Sequence, residues 1–263
     1  MAMKTKHTVI SCQDLSIGYH SKKKTTLIAK DISFSIAEGT LVAMVGSNGI
    51  GKSTLIKTLT AMLPAISGSI QIKGKETTAY STLERSSKLS VVLTEAPASK
   101  NLSVIELVSL GRQPHTNWMG TLSRQDKDKI HEALNDTDLT ALAHRNCFEL
   151  SDGQLQRAYI ARALAQDTPL IILDEPTTHL DLYHRASIVK LLKKLTEEKN
   201  KTIVYSTHEI DLAIQISDKM LVMTPNQIAF DTPCNLIEQG AFDILFPNEI
   251  VVFDKKTGRF SVT

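Results

Sequence analysis

An α/β fold, with a mixed or parallel central sheet, antiparallel strands before it and helices inserted into it, is predicted by three observations on these 263 residues. The first 45 residues carry strand patterns, the third of them a continuous apolar run that leads into a glycine-rich loop. The middle of the chain turns to short helical patterns and polar loops. After Leu150 helix and strand patterns alternate, which calls for parallel strands joined by helical crossovers.

Each element follows from its local pattern. Residues 9–19 read as a strand, as do residues 32–36, where Ile32, Phe34 and Ile36 alternate with polar neighbours as in a half-buried antiparallel strand. Lys22, Lys23 and Lys24 between them read as a solvated loop. The unbroken apolar run 41–45 reads as a buried central strand, followed by a helix over residues 52–62. Residues 69–73, framed by Gly68 and Gly74, make another short antiparallel strand. A strand at 89–93 precedes a helical stretch, in which Ser103 and Glu106 form a capping-box pattern for a helix over 104–110 that should stop near Gly111. Ser123 caps a further helix running to Leu134. The alternating series then comprises helix 154–165, strand 170–173, helix 182–198, strand 202–205 and helix 210–216.

Composition narrows the function classes. Thirty basic and 28 acidic residues leave a net charge of +2, so no broad positive field of the kind that dominates nucleic-acid binding is expected, and no nucleic-acid partner. Cys12, Cys147 and Cys234 are odd in number and widely spaced; they read as reduced, mostly buried thiols of a cytosolic protein rather than a disulfide or zinc framework. No apolar run approaches the roughly 20 residues of a membrane span.

Chemistry concentrates in three places. Gly46-Ser47-Asn48-Gly49-Ile50-Gly51-Lys52-Ser53-Thr54 fits G-x-x-x-x-G-K-[ST] between a buried strand and a helix. Its glycines let successive backbone N–H groups turn toward one anion, and the helix N-terminus adds partial positive charge. Lys52 would reach the β- and γ-phosphates of a nucleotide, and the Ser53 hydroxyl would ligate Mg²⁺. Residues 170–175 form an apolar strand ending in Asp174 and Glu175, where an open α/β sheet places its ligands. Alone that pattern describes an exposed turn equally well; beside the phosphate loop it offers Asp174 as a Mg²⁺ ligand and Glu175 as the general base for water. His208, after the strand at 202–205, falls in the same layer and could contact the γ-phosphate.

With Leu150-Ser151-Asp152-Gly153-Gln154 the chain resembles an ATP-binding cassette (ABC) ATPase along nearly its whole length, because this pentapeptide resembles the family's signature motif. The resemblance implies a P-loop NTPase with an N-terminal antiparallel β-subdomain and an inserted α-helical subdomain. Residues 1–88 and 165–263 would form the nucleotide-binding core, and 95–165 the signature subdomain. It implies further that Tyr19 stacks on adenine, that residues 176–181 ending in Asp181 form the loop after the catalytic glutamate, and that His208 is the switch histidine. Ser151, Gly153 and Gln154 would serve the nucleotide of an opposing protomer, so two copies would sandwich two MgATP molecules as a homodimer. Asp152 stands where glycine is more usual.

A departure concerns the metal. The family carries a glutamine after the strand entering the helical subdomain, whereas here the stretch reads Val91-Val92-Leu93-Thr94-Glu95. Strand register puts Thr94 in that position, while Glu95 is the better cation ligand one residue on. The stretch 106–115, including Gly111, Arg112, Pro114 and His115, resembles ATPases serving ferric-siderophore, haem and cobalamin uptake. A motor on the cytoplasmic face of the cell membrane, peripheral and bound to polytopic permease subunits, with a substrate-binding protein as an indirect partner, is the expected role. The alternatives are an exporter motor or a soluble cassette protein acting on ribosomes or DNA. The short tail after the last strand is expected to leave no room for the added regulatory domain of many sugar importers.

Overall fold

The computed structural model describes residues 7–20, 24–94, 101–225, 227–245, 251–255 and 258–262. Of the charged loop expected at 22–24 it includes only Lys24, and Glu95 lies outside the described residues.

Two long strands, β1 (Thr8–His20) and β2 (Thr25–Ala37), form an antiparallel hairpin, which β4 (Ser67–Ile72) and the two-residue β5 (Lys75–Glu76) extend into a sheet of order β2-β1-β4-β5. β2 begins seven residues before the alternating stretch that betrays it, since residues 25–31 pair with β1 while largely exposed and so show no apolar periodicity.

The second sheet has the order β10-β9-β3-β8-β7-β6. Its members are β3 (Leu41–Gly46), β6 (Leu89–Val92), β7 (Leu170–Leu173), β8 (Thr202–Ser206), β9 (Lys219–Met223) and β10 (Ile228–Asp231). All neighbours are parallel except β10, which runs antiparallel on β9 as an edge. The continuous apolar runs of β3 and β7 are buried on both faces, as parallel strands covered by other layers must be. Their alternate residues divide between two cores. Leu41, Ala43, Val45, Ile171 and Leu173 pack with the helical side, and Val42, Met44, Leu170 and Ile172 with the antiparallel sheet and α1 (Lys52–Leu59).

Helices α3 (Val104–Ser109), α4 (Arg124–Asp136) and α5 (Asp152–Ala165) pack together, while α6 (Leu182–Lys199) and α7 (Ile210–Ile216) follow β7 and β8. The short α2 (Thr82–Ser86) precedes β6. Ser103 caps α3 with the expected box, Glu106 reaching back to the cap N–H; Ser123 caps α4 as expected, and Asp126 completes a box there that the sequence reading did not include.

Several expected boundaries need correction. α1 ends at Leu59 rather than Met62, because Thr60 Oγ1 takes the carbonyls of Ile56 and Lys57 and Ala61 turns left-handed at φ 54°. β4 stops before Lys73, which at φ 49° enters the turn with Gly74. α3 does not end in an ordinary turn at Gly111 but continues as a 3₁₀ helix over Leu110–His115. α5 starts at Asp152, two residues early, because Ser151 caps it. The tail also holds more than expected: β9, β10, α8 (Pro233–Glu238) and a hairpin of β11 (Val251–Asp254) with β12 (Arg259–Val262). Cys12 and Cys147 are buried and Cys234 is exposed; burial pushes the Cys12 thiol up to about 12, so it stays protonated.

Candidate functional site

The C-terminal ends of four adjacent parallel strands, β3, β8, β7 and β6, carry the phosphate loop, His208, the Asp174-Glu175 pair and Thr94 in that spatial order. A doubly wound sheet binds ligands at this edge.

The loop leaves β3 at Gly46, where an added Cβ would lie 2.7 Å from the Met223 carbonyl oxygen, so the backbone passes directly against β9. Gly51 closes the loop at φ 113°, a conformation that side chains resist, and a Cβ there would meet Ile28 of β2 at 2.5 Å. The antiparallel sheet thus sets the curvature of the cradle. Ser47 is partly buried, Asn48 and Gly49 are exposed, and Ser53 is partly buried in the first turn of α1. Lys52 is only 5% exposed, and its ammonium donates to the carbonyls of Gly46 at 3.0 Å and Ser47 at 3.3 Å. Burial lowers its pKa, an effect opposed by the carboxylates of Glu175 and Asp174, which favour the charged form.

Asp174 is buried at the end of β7, and one of its oxygens accepts from Ser206 Oγ at 2.7 Å. Ser206 in turn accepts from the Glu175 backbone N–H at 2.8 Å, so the end of β8 fixes both acidic residues. Glu175 has φ 49°, which costs a non-glycine residue about 1 kcal/mol or more. The neighbours hold it there. His208 Nε2 donates to one carboxylate oxygen at 2.6 Å, and Thr178 Oγ1 donates to the other at 3.1 Å. A carboxylate with each oxygen engaged is aimed, as a general base needs to be. Thr94 lies past the end of β6, and its hydroxyl donates to the Asp174 carbonyl at 3.1 Å.

Tyr19 projects from the end of β1, 48% exposed, and its hydroxyl is 3.0 Å from Thr54 Oγ1 in α1. It therefore combines a free ring surface with an anchored tip. The signature stretch lies on α5. Ser151 Oγ accepts from the Gln154 N–H, and Gln154 Oε1 accepts from the Ser151 N–H, a reciprocal cap on the helix N-terminus. Gly153 is buried against His184 of α6. Asp181 caps α6, accepting from the His184 N–H at 2.8 Å. A small cavity of about 170 Å³ separates Asp152 and Gln156 of α5 from Thr94, Asp174 and Glu175. A larger cleft of about 630 Å³ between Arg157, Ser187 and Lys194 borders none of the phosphate-loop residues.

The role of the stretch around Gly111 was not readable from sequence. A Cβ on Gly111 would lie 2.1 Å from the Arg162 carbonyl oxygen, so glycine lets this turn press onto α5. Arg112, buried, donates to Asp126 at 2.8 Å and to the carbonyl of Ala165 at 2.8 Å, and His115 Nε2 donates to the Gln166 carbonyl at 3.0 Å. The stretch is the C-terminal cap of the signature helix.

Residues 29–178 match the ABC transporter family model. The chain is 37% identical to the iron(3+)-hydroxamate import ATP-binding protein of Bacillus subtilis, over 81% of this chain and 78% of that protein. It is 35% identical to the achromobactin transport ATP-binding protein of Dickeya dadantii, over 91% of this chain and 88% of that one. Among solved structures, a metal-chelate type ABC transporter in an inward-facing conformation matches with TM-score 0.79 and 30% identity, covering 91% of this chain and 89% of that chain. A dimeric ATP-binding cassette with ADP and Pi bound matches with TM-score 0.72 and 28% identity, covering 85% and 98%.

Proposed function

The chain belongs to the ABC transporter family of ATP-binding proteins, and from that premise we propose that it hydrolyses MgATP between two copies of itself to drive import of a metal-chelate type substrate through separate permease subunits. The observation that carries the chemistry is the junction of the phosphate loop, Glu175 and His208 on adjoining strand ends. Backbone N–H groups of residues 46–54 and the Lys52 ammonium bind the β- and γ-phosphates, and Tyr19 supports adenine. Glu175 takes the proton of a water whose oxygen attacks the γ-phosphorus; the bridging P–O bond breaks and ADP leaves with its electron pair. His208 holds Glu175 in place and would contact the γ-phosphate.

The oxygen donors Ser53, Asp174 and Thr94 suit a hard cation. Mg²⁺, when bound, supplies charge neutralisation on the phosphates. Glu95 remains an alternative to Thr94.

Residues 1–88 and 165–263 act as the nucleotide core in this reading, and 95–165 presents Ser151, Gly153 and Gln154 to the partner's nucleotide. Asp181 lies in the loop that meets the opposing protomer. Among the described residues no helix is long and apolar enough to cross a membrane. In this reading the chain is held at the cytoplasmic face by the permease. A substrate-binding protein would deliver the chelate. The names of the relatives support import of an iron chelate. Uptake of a labelled ferric chelate by cells lacking this chain tests it: wild-type chain should restore uptake and Lys52→Ala should not. Restoration by both would remove the proposed role.

A further inference from the structure

We propose that His184 is a positioning residue that joins the signature turn to the Asp181 loop, so that both segments meet the nucleotide as one surface; this rests on the two-copy reading above. Two edges of the same ring carry the inference. Nδ1 lies 2.9 and 2.8 Å from the two oxygens of Asp181. A carboxylate only accepts, so Nδ1 carries the proton and the ring is fixed in plane and tautomer. The opposite edge packs on Gly153: a Cβ on that glycine would lie 2.5 Å from His184 Cδ2, 3.1 Å from Cγ and 3.3 Å from Nε2. Gly153 has no positive φ among the backbone exceptions, so what position 153 requires is room for the ring. The Tyr183 ring stands edge-on to His184 at 5.5 Å and 89°.

The neighbours of His184 are braced to the same two regions. Ser187 accepts from Arg157 of α5 at 2.7 Å. Arg185 donates to the Leu180 carbonyl at 2.6 Å and to Glu209, beside His208, at 2.5 Å. The first turns of α6 are therefore a joint between the signature helix, the Asp181 loop and the strand end bearing His208. His184 and Asp181 are both substantially exposed, so their pairing contributes little to stability. Its effect falls on geometry, where a displacement of about 1 Å at a reacting site can cost about 10²-fold.

The test is made in the Glu175→Gln background, where ATP-dependent dimerisation is measured by analytical ultracentrifugation and ATP binding to dilute monomer by fluorescence of a labelled ATP. His184→Ala is expected to leave monomer affinity within about twofold and to weaken the dimer at least about tenfold, a split that a merely structural loss would not produce. His184→Asn, which keeps a donor for Asp181 but leaves Gly153 uncovered, should fall between, and it decides by the same criterion if the alanine variant fails to fold. A parent that dimerises with ATP, beside a variant that dimerises equally well or loses monomer binding in parallel, overturns the role of His184 alone. A parent that stays monomeric overturns the two-copy reading, and His184's role with it.

Discussion

Removing the Lys52 ammonium leaves the loop without its one buried cation, while Asp174 and Glu175 still place negative charge nearby. Lys52→Ala should therefore bind labelled ATP too weakly to saturate and show no hydrolysis above background; turnover near wild type would remove the phosphate-loop assignment. The residue replacing the family's glutamine is a finer question. Strand register predicts that Thr94 emerges beside the phosphates; in the structure its hydroxyl donates to the Asp174 carbonyl. Thr94→Gln should shift the Mg²⁺ concentration needed for half-maximal ATPase activity, and Glu95→Gln should not. A shift confined to the Glu95 variant would reverse the assignment. Lys52, Asp174 and Glu175 were legible because their motifs couple residue type to a strand end. The strained backbone of Glu175 and its clamping by Ser206 and Thr178 were not, since those contacts join residues whose spacing carries no pattern.

At the level of elements, the buried Arg112–Asp126 pair ties the turn after α3 to α4 and to the end of α5. Arg112→Ala leaves Asp126 and the Ala165 carbonyl buried without their partner, and should lower stability by about 3 kcal/mol in denaturant unfolding. A loss under 1 kcal/mol would show that the three helices do not depend on this cap. Burial pushes the Asp126 carboxyl up, but hydrogen bonds from Ser123 and Arg112 and the charge of Arg112 outweigh it, leaving its pKa below the usual carboxylate value. A depressed folded-state pKa gives stability that is present above the unfolded pKa, about 4, and lost as pH falls through the folded value. The Tm gap between wild type and Asp126→Asn should therefore be widest near neutrality and narrow below about pH 4. A gap independent of pH would contradict it. Helices with capping boxes and strands with buried runs were readable from sequence. The first half of β2 was hidden because its residues are exposed, and the 3₁₀ segment because Gly111 serves interhelical contact rather than chain termination.

Over the whole molecule, the strand order places every proposed phosphate and base residue on one sheet edge, while the signature turn sits on a helix of the inserted segment. The order β3-β8-β7-β6 could not be read from sequence, since parallel neighbours are chosen by long-range packing, yet the alternation of helices and strands did require parallel strands. The proposed division of roles between core and signature segment has a consequence that no single chain displays: nucleotide should bind two copies together until it is hydrolysed. Glu175→Gln isolates that step, because removing a general base costs about 10²–10⁴ in rate and leaves the phosphate cradle intact. Light scattering of this variant with and without MgATP is the most direct measurement. The account predicts the mass of one chain without nucleotide or with ADP, and of two chains with ATP; a single chain at every ATP concentration, or a dimer indifferent to nucleotide, would contradict it.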